Sequence, residues 1–219
     1  MSLSLFFQIL INGIMMGGTY ALVASGLTLT LGVIKVFNFA QGHFLMLAAF
    51  ATYAIVVALG LPYWVAVIVS FCGMALLGML IYFGIIARTL RHGFFNSMLA
   101  TVFLATIIEQ VSVVTFASQT RTLPVVVKGT AKLGEVTAPY SRLLVIGISL
   151  VVLIALHFFM RRKVGKAMLA AAENSDVASL MGINPNRVFW MTMAVGCGLS
   201  GIAGAIVAPV YGAYSSMGS

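Results

Sequence analysis

From Met1 to Ile34 the chain carries no acidic or basic side chain, and most of that run is apolar. A helix needs about 20 apolar residues, at ~1.5 Å rise each, to cross a bilayer. The run is therefore long enough to span, and too long for a cleavable signal sequence. It is also not alone. Cutting the chain at charges, prolines and glycine clusters leaves six apolar segments: Leu5 to Thr30, His43 to Gly60, Tyr63 to Ala87, Phe94 to Ala117, Leu143 to Met160 and Val188 to Tyr211. Lipid leaves no backbone group unpaired, which restricts spanning elements to helices and closed barrels. The alternating apolar and polar pattern of barrel strands is missing. The expected fold is an all-α polytopic membrane protein, with about six transmembrane helices in one transmembrane domain over residues 1–219.

Composition supports this class, since 62% of residues are hydrophobic and only 7% charged. A net charge of +8 would suggest nucleic acid as partner of a soluble chain. Here the basic residues occupy short connections between apolar runs, where they orient the chain in the membrane, so membrane lipid and not nucleic acid is the expected contact. If the segment from Arg161 to Arg187 is cytoplasmic, eight basic residues fall inside (Lys35, Arg88, Arg91, Arg161, Arg162, Lys163, Lys166, Arg187) and four outside (Arg121, Lys128, Lys132, Arg142). That bias predicts an external N-terminus. Cys72 and Cys197 lie within apolar runs and read as two buried thiols, not a disulfide or a metal pair. His43, His92 and His157 fall at span edges without ligand spacing and read as interfacial.

The segment Arg161 to Val188 is the one extended polar stretch between spans, with seven of the sixteen charged residues. Val164 to Glu173 is rich in alanine and suits a short helix. Asn174 or Ser175 can cap a second helix through Leu180, and Gly182 stands where a left-handed residue ends it. Two short helices along the membrane face would offer small Ala170, Ala171, Ala172 and Ala178 to a partner, with Leu180, Met181 and Ile183 plugging in. The competing reading is an amphipathic helix resting on anionic lipid headgroups.

Other features are less specific. Gly13, Gly17, Ala21 and Ser25, and again Gly196, Ser200, Gly204, Ala208 and Gly212, recur at every fourth residue and predict close helix packing. Between the first two spans, Lys35 to His43 carries Asn38, Gln41 and Gly42, which fits either a re-entrant break lining a path or an ordinary turn with Asn38 as helix cap. Glu109 is the one acid inside a span and is a functional candidate by its position; lying near the outer end of its helix, it fits equally a structural role, neutral or hydrogen-bonded to another helix. The nucleophile-elbow, zinc-protease and phosphate-loop motifs are not present, and Gly165-Lys166 lacks the upstream glycine and following hydroxyl of a phosphate loop. No cofactor is called for. ATP-driven transport would need nucleotide sites on another subunit.

Several separated motifs in order give the chain a family resemblance. They are Asn12-Gly13 through Gly18-Thr19-Tyr20-Ala21-Leu22 to Gly26-Leu27; Asn38-Phe39-Ala40-Gln41-Gly42-His43 with Met46; Gly165-Lys166-Ala167 with Ala172-Glu173-Asn174; Ala178-Ser179-Leu180-Met181-Gly182-Ile183-Asn184; and Gly201 to Gly204 with Tyr211-Gly212. On these the chain resembles the permease subunit of branched-chain amino acid ABC importers, of LivH type. The resemblance implies a bacterial or archaeal inner-membrane importer with two homologous permeases, separate ABC ATPase subunits and a soluble substrate-binding protein. It also implies that Gly165, Ala172, Glu173, Asn174, Ala178, Leu180, Gly182 and Ile183 meet the ATPase. Tyr20, Asn38, Gln41 and Glu109 are the expected pathway residues. Leu169 stands where family members often carry Arg, and Phe83-Gly84 where they carry a Glu-Arg pair. Relatives continue past Tyr211-Gly212 into further helices, so the chain resembles a C-terminally incomplete permease. The other readings are a permease for urea or short amides, a membrane-embedded enzyme pairing Glu109 with a histidine, and a passive channel.

Overall fold

The computed structural model describes residues 3–116, 120–124, 129–133 and 136–218. In chain order its elements are α1 (Leu3–Ile34), α2 (Gln41–Ala58), α3 (Tyr63–Thr89), α4 (Phe94–Phe116), a hairpin of β1 (Thr130–Leu133) and β2 (Val136–Pro139), α5 (Tyr140–Arg161), α6 (Lys163–Glu173), α7 (Ser175–Leu180) and α8 (Pro185–Tyr211). Six of these helices are long and apolar enough to cross a membrane, and their ends fall within four residues of the expected spans. The antiparallel hairpin was not foreseen; it lies in the connection between α4 and α5. The last turns of α2 (Ala54–Ala58) and of the long part of α3 (Tyr82–Ile86) widen into π-helix.

Helix α8 is the axis of the bundle. Of its most apolar window 72% is buried, against 17% for α1 and 11% for α5. Its small residues are the cause, because with no side chain in the way neighbouring backbones come close enough for dense van der Waals packing. A Cβ placed on Gly204 would lie 2.1 Å from the Leu45 carbonyl oxygen of α2, and one on Gly201 would lie 2.8 Å from the Ser70 carbonyl of α3. Gly78 of α3 leaves the corresponding room for Cys197. Polar bonds tie the same helices together: Tyr63 donates to the Ala205 carbonyl at 3.1 Å and Tyr82 donates to Asn186 Oδ1 at 2.5 Å. Cys197 is buried as expected, but Cys72 is exposed on the outer face of α3, because an apolar residue of a span can face lipid as well as protein.

The stripe on α1 behaves differently. Gly13 and Gly17 have nothing near them. The face that α1 buries runs instead through Met15, Thr19, Leu22, Gly26, Thr30 and Val33, with the backbones of Gly26 and Gly196 in contact.

The connection from α1 to α2 turns back into the bundle. Lys35 takes a left-handed conformation, φ 59°, which ends α1 and reverses the chain. For a residue with a Cβ this costs of order 1 kcal/mol and needs surrounding structure to hold it. Phe37 O then accepts from Thr101 Oγ1 at 3.0 Å, two turns inside α4. Gln41, the first residue of α2, reaches the Gly196 carbonyl near the middle of α8. Helix α2 therefore starts inside the bundle, not at its edge. At the other end Gly212, φ 77°, stops α8. Ala213 pairs with Arg121 in both directions at 2.8 Å. The chain then folds back until Gly218 lies against Gly42 and His43. Two re-entrant stretches, one from each end of the bundle, so meet at the start of α2.

Candidate functional site

Four places hold the residues singled out by the sequence. The first is the junction at the start of α2. Asn38 and Gln41 are buried, 1% and 3% exposed. Asn38 Oδ1 accepts from the Ala40 backbone N–H at 3.1 Å, and its amide donates to Gln41 Oε1 at 3.3 Å. Gln41 Nε2 donates to the Gly196 carbonyl and to Ser200 Oγ, both at 2.8 Å. The backbone of the turn is re-entrant, and its polar side chains face protein. Asn38 braces the turn three residues before the first residue of the helix, and no side chain caps the helix itself. Both amides are fully engaged within the protein, so here they fasten α2 to α8. Ser200 completes the cluster and was singled out only as part of a packing stripe.

The second place lies two residues further along α2. His43 is 7% exposed, so it is not interfacial as its position in the sequence suggests. Distance along the chain misplaces it, because the Lys35 reversal carries the start of α2 inward. Its Nε2 faces Glu109 Oε2 of α4 at 3.6 Å, just beyond hydrogen-bond length, and neither ring nitrogen has a hydrogen-bond partner among the described residues. Glu109 is 35% exposed and borders a cavity of about 320 Å³ shared with Val113, Thr120, Tyr214, Ser215 and Ser216. Among the described residues no group of three His, Cys, Asp or Glu side chains comes together to hold a metal.

The third is a cavity of about 180 Å³ beside the first two, bordered by Tyr20 and Thr19 of α1, Leu45 of α2, and Tyr211, Tyr214 and Met217 at the end of the chain. Tyr20 is 62% exposed and sits at its rim. Tyr214 belongs to both cavities and links Tyr20 to Glu109. Nothing in its sequence surroundings marks it, since its role depends on the fold-back after Gly212.

The fourth is the α6–α7 pair, formed as its sequence predicts. Asn174 Oδ1 accepts from the N–H groups of Asp176 and Val177 at 3.0 and 3.1 Å, capping α7, and Gly182 is left-handed at φ 85°. Gly165 is buried because a Cβ there would strike the Met160 backbone at 2.3 Å, which lets α6 fold tightly under α5. Met168 and Ala171 are buried with Val33 of α1 and Val188 of α8, and Ala172 and Ile183 pack at the edge of that cluster. Ala178 is also buried within the chain, so the outward face of α7 falls to Leu180 and Met181, 86% and 79% exposed. Glu173 and Asn174 are exposed at the bend between the two helices.

Glu109 within 4 Å of a histidine meets the proximity that an acid–base enzyme requires, so geometry alone does not discard that reading. Comparison with known proteins does. The family model described as "Branched-chain amino acid transport system / permease component" matches residues 9–219. The chain is 27% identical over 222 residues to the high-affinity branched-chain amino acid transport system permease protein LivH of Salmonella typhimurium, covering 94% of this chain and 72% of that one. The LivH protein of Escherichia coli K12 matches at the same identity and coverage. BraD of Pseudomonas aeruginosa, described in the same words, is 25% identical over 221 residues with the same coverage. No solved structure matches the chain. With six spans and this match, the chain belongs to the permease components of the branched-chain amino acid transport family, which are multi-pass inner-membrane proteins of ABC transporters and not enzymes.

Proposed function

We propose that this permease imports branched-chain amino acids. It works with a second homologous permease, ABC ATPase subunits seated on α6 and α7, and a soluble protein that delivers the substrate. The names of its relatives, high-affinity branched-chain amino acid transport permeases, supply the substrate class. The excess of basic residues at the α6–α7 end supports placing that end in the cytoplasm.

One observation carries the mechanism. The cluster of Val33, Met168, Ala171 and Val188 joins α6 to the ends of α1 and α8. Val33 is two residues before the Lys35 reversal, and the reversed stretch carries Asn38 and Gln41 to Gly196 and Ser200. A displacement of α6 by an ATPase would reach the start of α2 through one packed path, with no flexible linker to absorb it. Alternation between two arrangements of that joint would open the pathway first to one side and then to the other. In this scheme Asn38 and Gln41 become pathway residues only when the joint opens. Tyr20 and Glu109 border cavities already in this arrangement.

Leu180→Asp tests the docking face. Leu180 is 86% exposed, so the substitution should leave permease stability within about 0.5 kcal/mol. Loss of a central apolar contact should lower ATPase retention on co-purification by about tenfold or more, since such contacts are worth about 2 kcal/mol. Undiminished retention would move the ATPase contact elsewhere and favour the lipid-facing reading of α6 and α7.

A further inference from the structure

The pair formed by His43 and Glu109 has no part in the coupling path above. Among the described residues His43 is the one basic group within 4 Å of the Glu109 carboxylate. An acid at this depth in a span is costly to leave uncompensated and is stabilised by a positive charge. His43 holds two unpartnered ring nitrogens at 7% exposure and directs one of them at that carboxylate. The carboxylate in turn forms a wall of the 320 Å³ cavity, within the size range of small-molecule sites. The remaining wall is Val113 with the hydroxyl-bearing Thr120, Tyr214, Ser215 and Ser216. Among the described lining residues the site thus has one negative charge and no lysine or arginine. One carboxylate balances one positive charge. A divalent cation would call for a larger set of acidic ligands than this, whereas a primary ammonium is balanced by one carboxylate and can donate its other protons to hydroxyl oxygens such as those of Thr120 and Tyr214.

We propose that Glu109 receives the ammonium group of a zwitterionic substrate on its way through the permease. The assignment rests on the importer reading. It deepens that reading by making the permease itself discriminate amino acids from urea and neutral amides, and not leave all selection to the delivering protein.

The test uses the assembled transporter, with ATPases, second permease and binding protein, in proteoliposomes. Uptake of radiolabelled leucine and ATP hydrolysis are read together. If wild-type complexes import urea or a neutral amide and not leucine, the importer reading and this assignment fall together, before any variant is compared. If wild type imports leucine, Glu109→Gln should cut leucine uptake by about tenfold or more, as expected for removing a charge-assisted hydrogen bond. ATP hydrolysis stimulated by the loaded binding protein should persist, and Glu109→Asp should restore most of the uptake. Leucine uptake by Glu109→Gln at the wild-type rate overturns the assignment and leaves the importer reading standing.

A second measurement keeps Glu109 intact in case that variant does not assemble. Val113→Cys in a Cys72→Ser background is modified with a cationic and with a neutral methanethiosulfonate reagent. The assignment predicts faster reaction with the cationic reagent and protection by leucine during turnover. Equal rates without protection overturn it.

Discussion

Helices α1 and α8 carry the same signal, small residues at every fourth position, and use it in opposite ways. On α8 the stripe is the packing surface: Gly196 meets Gly26, Gly204 meets the α2 backbone, and 72% of the helix's most apolar window is buried. On α1 a Cβ at Gly13 or Gly17 would meet no described atom within 4 Å, and the helix packs through a face rotated away from them. Spacing of small residues states how closely a neighbour can approach. It does not state whether the neighbour belongs to the same chain, and α1 keeps a smooth face available where α8 has used its own.

Substitutions can break or sharpen that contrast. The largest effect is expected at Gly204→Val, where even a Cβ would fall 2.1 Å from the Leu45 carbonyl oxygen. Forcing side-chain volume into this contact should destabilise the bundle by about 3 kcal/mol, visible as lost thermal stability of the detergent-purified permease. A stable Gly204→Val would mean that α2 and α8 can separate freely. Gln41→Ala removes the amide between the α8 carbonyl and Ser200. It should cost about 1 to 3 kcal/mol, and also loosen the start of α2, which hydrogen exchange at residues 36–44 would detect. The smallest effect on the chain itself is expected at Gly17→Ala: with open space around it, its stability should change by no more than about 1 kcal/mol, the scale of helix propensity. The contrast sharpens if the same variant weakens association of two permeases in the membrane, read by cross-linking or energy transfer, and it breaks if Gly17→Ala destabilises the isolated chain as much as Gly204→Val does.

The spans and the α6–α7 pair were legible because local chemistry decides them. Uncharged length sets a span, and Asn174 and Gly182 set a cap and a stop through bonds and angles within a few residues. The joint was only half legible. Asn38, Gln41 and Gly42 announced an irregular stretch, yet its direction depends on partners far along the sequence, Thr101, Gly196 and Ser200. His43 was misplaced for the same reason, since a histidine at the edge of an apolar run looks interfacial until the run is known to begin inside the protein. Cys72 shows the opposite limit: an apolar neighbourhood in sequence does not distinguish lipid from core. Glu109 was found by its charge alone, but its cavity depends on Tyr214 and the residues after Gly212, whose fold-back no periodicity signals.

The bonds of Gln41 also set an order of events during synthesis. Its partners lie 155 and 159 residues downstream, so the ribosome completes α2 and three further membrane helices before either exists. Until Ser200 has emerged, the reversed stretch after Lys35 has no carbonyl or hydroxyl of α8 to hold it, and contacts of such separation are slow to form. The first helical hairpin of this permease therefore enters the membrane as a provisional structure. Arrival of α8 is the step that locks it.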